Sequence, residues 1–238
     1  SCLIVGCGYT GLRLARRLQP RWRVSATARS DASAAQLTAA GIGIVRADLD
    51  ATPSPGSLER VADGAAIAYL APPPDHGTDD PRLLRFLAAL GDAKPSVLLY
   101  MSTTGVYGDT RGETVTEDSP LLPSNDRSRR RVAAETAAQG WCASRGVRCV
   151  VLRVPGIYGP GRLPLDRLRR GEPALRPEES GPGNRIHVDD LVTACVAALE
   201  RPVSGAFNVT DGNPATTTEF LQRTAAIAGL APPALVTL

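Results

Sequence analysis

The chain opens on an uninterrupted apolar run, Cys2-Leu-Ile-Val5, that leads straight into Gly6-Cys-Gly8-Tyr-Thr-Gly11. A short apolar run without polar alternation reads as a strand covered on both faces, as strands of parallel sheets are. A helical pattern follows at once, with Leu12, Leu14, Ala15 and Leu18 in it and Pro20 ending it. Glycines at 6, 8 and 11 between a strand and a helix have separate tasks. Gly6 permits the tight turn, Gly8 lets the backbone approach a diphosphate, and Gly11 lets the helix lie close to the sheet. The helix start, with Tyr9 and Thr10 in the loop, offers N–H groups and a positive dipole end to an anion. The plainer alternative is a glycine-rich structural turn. Its place at the first strand of a strand–helix series speaks against that.

The series continues along the chain. Trp22 to Ala28 reads as a second strand, and Asp31 opens a helix running to Gly41, with Asp31 itself as the cap. Residues 43–47 and 65–70 read as the third and fourth strands, 81–91 as an amphipathic helix and 96–101 as the fifth strand. An Ala-rich helix is expected over 132–144, a strand over 147–154, a helix over 189–200, a strand over 206–210 and a last helix over 216–229. Such alternation predicts an α/β fold, a doubly wound parallel sheet. The stretch from about 155 to 187, rich in Gly, Pro and Arg, breaks the rhythm and is expected to form a small C-terminal substrate lobe. Residues 1–154 then form the dinucleotide-binding domain. Residues 155–238 carry the lobe, interleaved with the remaining strands and helices of the same domain. No internal repeat or low-complexity linker is visible.

Composition narrows the function. With 43% hydrophobic and 21% charged residues, the 238-residue chain can bury a core and is not a disordered one. A net charge of +3 and only 4% aromatics supply neither the basic field nor the stacking platforms of a nucleic-acid binder. No apolar run reaches the ~18 residues of a membrane helix. No leader pattern opens the chain, so a cytoplasmic location is expected, with a few residues missing before Ser1 and continuation past Leu238 left open. Five cysteines without a CxxC read as reduced thiols, and with two histidines a metal site is not expected.

Which dinucleotide the loop takes depends on the end of the second strand. An acid there accepts from the ribose 2′-OH of NAD. Here the strand ends Thr27-Ala28-Arg29-Ser30. Arg29 offers a planar, permanently charged fork to a 2′-phosphate, which favours NADP over NAD. A solvated loop charge is the plainer reading of the same residue.

At this point the chain resembles the short-chain dehydrogenase/reductase superfamily, in its extended, epimerase/dehydratase-like branch and atypical relatives. The resembling residues are the loop at 6–11, Ala47-Asp48-Leu49, Leu70-Ala-Pro-Pro-Pro74, Ser102-Thr-Thr-Gly-Val-Tyr-Gly108, Arg153-Val-Pro-Gly-Ile-Tyr-Gly-Pro-Gly161 and Ile186-His-Val-Asp-Asp190. Each is weak alone; in this order and spacing they are specific. The resemblance implies a Rossmann fold. It also implies that Asp48 and Leu49 line the adenine pocket, that Ala71 and Pro72 run past the ribose, and that Pro155 to Ile157 pack near the nicotinamide. Thr103 would bind a substrate oxygen, and the segment 187–190 would help close the substrate side. Most extended members carry GxxGxxG where this chain has GxGxxG, which puts it nearer the atypical relatives.

The chemistry departs further. The superfamily normally works with a Tyr and a Lys four residues later. This chain has a single lysine, Lys94, preceded at that spacing by Leu90. In the expected place stands Asn125-Asp-Arg-Ser-Arg-Arg-Arg131-Val-Ala-Ala-Glu135, which puts Arg127 in the Tyr slot and Arg131 in the Lys slot. Arginine stays protonated and cannot work as an acid/base at neutral pH, although Arg131 can still donate to ribose hydroxyls. Tyr107, Tyr158 and Asp189 are candidate replacement acids, with packing as the plainer reading of both tyrosines. Arg127 to Arg131 read otherwise as a solvated helix turn, Ser102 and Thr103 as strand-end caps, and His187 as a structural histidine.

Two functions remain in view. One is an NADP-dependent oxidoreductase or epimerase/dehydratase acting on a hydroxyl or carbonyl small molecule, nucleotide sugars included. The other is a non-catalytic NADP(H) binder that reports redox state to a partner. Ala-rich faces on the helices at 81–91 and 132–144 are compatible with a homodimer.

Overall fold

The computed structural model describes residues 1–51 and 56–238. The first half runs β1 (Cys2–Val5), α1 (Tyr9–Leu18), β2 (Val24–Ala28), α2 (Asp31–Ala39), β3 (Gly43–Arg46), α3 (Ser57–Ala62), β4 (Ala66–Tyr69), α4 (Pro81–Ala89) and β5 (Val97–Thr103). A 3₁₀ turn at Thr104–Tyr107 follows. The second half runs α5 (Asp126–Arg145), β6 (Arg148–Val154), β7 (Gly156–Tyr158), α6 (Leu165–Arg169), β8 (Ala174–Leu175), β9 (Arg185–His187), α7 (Val188–Glu200), β10 (Gly205–Asn208), α8 (Thr217–Ala228) and β11 (Leu235–Val236).

Seven strands form one sheet in the order β10-β6-β5-β4-β1-β2-β3, and every pair in it is parallel. β1 shows why the sheet is doubly wound. Its side chains alternate, so Cys2 and Ile4 enter the core beneath α1, α2 and α7, while Leu3 and Val5 enter the core beneath α3, α4 and α5. Both faces of the strand are therefore apolar, as the unbroken run requires. The order reverses between β1 and β4. That leaves a crevice beyond their carboxyl ends, the place where open α/β sheets bind ligands.

The Gly/Pro/Arg-rich stretch contributes two small pairings off the main sheet. β7 pairs with β9 and β8 with β11. Leu168, Ala174, Leu221 and Ala225 close a small separate core beneath them. α7 and β10 then return to the main sheet.

Two local expectations are corrected. The cap of α2 is Ser30, not Asp31: Ser30 Oγ accepts from the Ser33 N–H and the Ser33 hydroxyl answers the Ser30 N–H. Asp31 is the first helical residue, and it pairs with Arg46 at 2.6 Å. The long helix starts at Asp126, well before Val132, with Asn125 accepting from the Ser128 N–H at 2.9 Å. Its first turn carries arginines rather than apolar residues, so the hydrophobic period does not register there.

Candidate functional site

A cleft of ≈ 730 Å³ opens at the switch point, within the range usual for small-molecule and cofactor sites. Gly6, Gly8, Tyr9, Thr10, Gly11, Arg29, Ser30, Asp48, Leu49, Ala71, Pro72, Arg131 and Ile157 all line it. They come from the ends of several strands and from α5, so the fold gathers residues spread over most of the chain.

The glycine loop divides its work as the motif requires. Gly6 sits at φ +89°, and a Cβ there would meet the Ala71 nitrogen at 2.5 Å. A Cβ on Gly11 would meet the Gly6 carbonyl oxygen at 2.8 Å. Both positions are closed by backbone, one by a turn and one by helix–strand contact. Gly8 is the opposite case: a Cβ there meets nothing within 4 Å and would project into open space. No side chain caps α1, so its first-turn N–H groups are left for solvent or a ligand. A cradle that a Cβ would fill, at an uncapped helix start, fits a dinucleotide diphosphate.

At the end of the cleft lined by Asp48 and Leu49 three charges meet. Arg82 grips Asp50 through two nitrogens, at 2.6 and 2.8 Å, and Arg29 reaches the same carboxylate at 3.2 Å. The Arg82 hydrogen bond, with the charges of Arg82, Arg29 and Arg85, holds the Asp50 carboxyl below the usual carboxylate range. The Arg29 side chain remains 67% exposed. Asp48 accepts from the Asp50 N–H at 2.9 Å. Sequence reasoning did not find Asp50 or Arg82. Nothing local marks them: α4 announces its start through the Asp80 cap and Pro81, but not that its next residue turns to the cleft.

At the other end Arg131 donates to the Met101 carbonyl at 2.9 Å and to the Tyr100 hydroxyl at 3.1 Å. Burial pushes Tyr100 up to about 12, with Arg131 pulling the other way. Arg162, from the loop after β7, also lines the cleft, against the Tyr9 ring, and was not anticipated. Pro155 is half-buried beside β7 and is not among the lining residues. Arg127, the residue in the Tyr slot, is exposed.

The structure does not bring the other two candidate catalytic residues to this wall of the cleft. Thr103 Oγ1 accepts from the Gly105 N–H at 3.3 Å and caps the 3₁₀ turn. Tyr107 is buried; its hydroxyl donates to Asn208 Oδ1 at 2.8 Å and accepts from Arg153 at 2.8 Å. Behind them lies a closed polar knot. Ser102 donates to Glu135, which is ion-paired with Arg153 at 2.9 Å. Tyr158 donates to Asp211 at 3.2 Å, and His187 caps α7 through Nδ1, accepting from the Asp189 N–H at 3.3 Å. Among the described residues there is no group of His, Cys, Asp and Glu that would hold a metal, and no helix long and apolar enough to cross a membrane. All five cysteines are free thiols.

Residues 82–210 match the family described as NAD dependent epimerase/dehydratase. The chain is 34% identical to a conserved protein of unknown function from Silicibacter pomeroyi. The two structures superpose with a TM-score of 0.80 over 99% of this chain and 81% of that one. Among curated proteins it is 38% identical, over 100 residues, to the 3-diazoavenalumate denitrifying reductase of a Streptomyces species. That stretch is 38% of this chain and 32% of the reductase, so the match spans about a third of that relative's length. The UDP-glucose 4-epimerase of Thermus thermophilus, solved with NAD, shares the fold at 23% identity and a TM-score of 0.80, over 100% of this chain and 86% of that one.

Proposed function

The chain belongs to the NAD dependent epimerase/dehydratase family, and on that premise we propose that it is an NADP-dependent oxidoreductase or epimerase/dehydratase-like protein. Its substrate is a hydroxyl or carbonyl small molecule, with nucleotide-linked sugars the first class to test. The observation that carries this reading is the pairing of an open Gly8 with Arg29 at the end of β2. The first accommodates a diphosphate. The second stands where an NAD site has an acid, is largely exposed, and offers a fork suited to a 2′-phosphate beside the hydroxyls of Ser30 and Ser33.

When bound, the dinucleotide supplies hydride transfer. The chain's own contribution is positioning. The glycine loop would hold the diphosphate, Arg131, anchored against Met101, would donate to ribose hydroxyls, and Ile157 would pack against the nicotinamide end. The same reading makes it a cytoplasmic protein acting on a small molecule rather than on nucleic acid or membrane, with pairing of two copies through the Ala-rich helices α4 and α5. The test is titration with NADP(H) against NAD(H), wild type beside Arg29→Ala. Equal affinity of the wild type for both cofactors overturns the NADP assignment.

One observation favours a second reading, a non-catalytic NADP(H) binder. The Tyr–Lys pair is missing from the sequence, and the hydroxyls of Thr103 and Tyr107 are engaged in a cap and a buried network. General acid/base help is worth about 10²–10⁴ in rate, so its loss makes the usual route slow. Turnover of NADPH with a carbonyl panel or with nucleotide sugars, abolished by Thr103→Ala at unchanged cofactor affinity, decides for the enzyme.

A further inference from the structure

We propose that Arg162, reaching back from the loop after β7, is an anion clamp that closes over the diphosphate held by the glycine loop. The proposal rests on the dinucleotide reading of the cleft and names the residue that joins the substrate-side lobe to that ligand.

Tyr9, in the glycine loop, is the meeting point. Its hydroxyl donates to the Pro160 carbonyl at 3.0 Å, across 151 residues of chain. Gly159 presses the turn onto it: at φ +146°, a Cβ there would stand 2.9 Å from the Tyr9 hydroxyl oxygen and 2.8 Å from Val188. The Tyr9 ring carries two guanidiniums, Arg162 at 4.2 Å and Arg13 at 4.0 Å from its centroid. An aromatic face attracts such a cation but does not neutralise it. Arg13 is also tied to the Tyr9 carbonyl at 3.0 Å.

Arg162 differs from every other arginine of the cleft. Arg29 and Arg82 share Asp50, and Arg131 is hydrogen-bonded to Met101 and Tyr100. Among the described residues, the Arg162 guanidinium has neither an ion pair nor a hydrogen bond; only its backbone N–H is used, to the Gly159 carbonyl at 3.0 Å. It therefore lines the cleft with all its side-chain donors open. Its shelf, Tyr9, is the first residue of α1 and the neighbour of Gly8. An anion seated on that helix start lies beside Arg162. The ligand class is a diphosphate ester; a substrate carrying a diphosphate presents the same chemistry, and the experiment separates the two sources.

The test is titration of the wild type, Arg162→Ala and Arg162→Lys with three probes: NADPH, ADP-ribose and adenosine 2′-monophosphate. Arg162 is exposed, so its truncation leaves the fold intact; Tyr9→Leu, which removes the shelf but not the glycine backbone, is the second variant. Losing a charge-assisted hydrogen bond predicts that Arg162→Ala binds NADPH and ADP-ribose about tenfold or more weakly. Arg162→Lys falls between, Tyr9→Leu weakens the same two probes, and adenosine 2′-monophosphate, which lacks the diphosphate, is unchanged. Unchanged affinity of Arg162→Ala for NADPH and ADP-ribose overturns the proposal. If KM for an anionic substrate then rises, the clamp belongs to the substrate instead. A wild type that binds no dinucleotide at all overturns the reading of the cleft itself.

Discussion

Two arginine–carboxylate clusters, built from the same chemistry, behave as opposites because one is dry and the other wet. Arg153 and Glu135 pair at 2.9 Å with side chains 6% and 3% exposed. The remaining polar atoms there are engaged too: Ser102 donates to Glu135, and Arg153 donates onward to Tyr107 and to the Glu117 carbonyl. Arg29, Arg82 and Asp50 meet at the cleft rim, with Arg29 67% and Asp50 42% exposed. In a low dielectric a charge without its partner is costly, so the buried pair acts as a fixed strut between α5 and β6. At the rim, water screens the charges and partners exchange cheaply, so Arg29 can turn from Asp50 to a ligand's phosphate. The buried cluster is held fixed, and the exposed one is the cluster that can exchange partners.

The sharpest way to break this contrast is Glu135→Ala. It strands the Arg153 charge and is expected to destabilise the fold by about 3–5 kcal/mol, read by denaturant unfolding. A loss under about 1 kcal/mol would mean that the knot is solvated. Next comes Gly8→Val, which fills the open cradle. Dinucleotide affinity should fall on the order of 100-fold, equal to losing two charge-assisted hydrogen bonds, while the melting temperature stays; a falling melting temperature would show Gly8 to be structural. Arg29→Ala is expected to weaken NADP(H) about tenfold and leave NAD(H) and stability unchanged, as rim chemistry predicts.

The smallest effect concerns a third environment. Asp80 is 2% exposed and caps α4 through Leu83 with one carboxylate oxygen left without a partner. Burial raises its carboxyl above the ordinary value. A raised folded value means stability that is complete below the unfolded carboxylate range and is lost as pH rises through the folded value. Asp80→Asn keeps the cap and removes the charge, so melting temperatures measured from about pH 4 to pH 8 should decline less in the variant than in the wild type. Parallel profiles would place Asp80 in contact with water.

The strand–helix alternation and the glycine loop were readable in the sequence, because each is a local signal; Asp48, Leu49, Ala71, Pro72, Arg131 and Ile157 of the cleft lining came from the family resemblance instead. Gly6, Gly8 and Gly11 announce a turn by their spacing, and the apolar run of β1 announces its two covered faces. The start of α5 was not readable from periodicity, since its first turn is made of arginines. The cap of α2 was assigned one residue late because serine and aspartate are both good caps and only backbone geometry separates them.

By itself, then, the amino-acid order determined the seven strands of the main sheet and most of the helices that cover it, that the sheet is parallel and buried, that its first turn has glycine spacing suited to a diphosphate, and that no Tyr-x-x-x-Lys pair occurs; α3, α6 and the short strands off the sheet were not read. The tertiary structure alone decided who meets whom. Arg153 takes Glu135, 18 residues back, Tyr107 finds Asn208 across 101, and Tyr9 finds Pro160 across 151. The physical reason is range. Period, glycine and capping act within a turn or two of chain, whereas these partners are set by the order in which seven strands lie side by side.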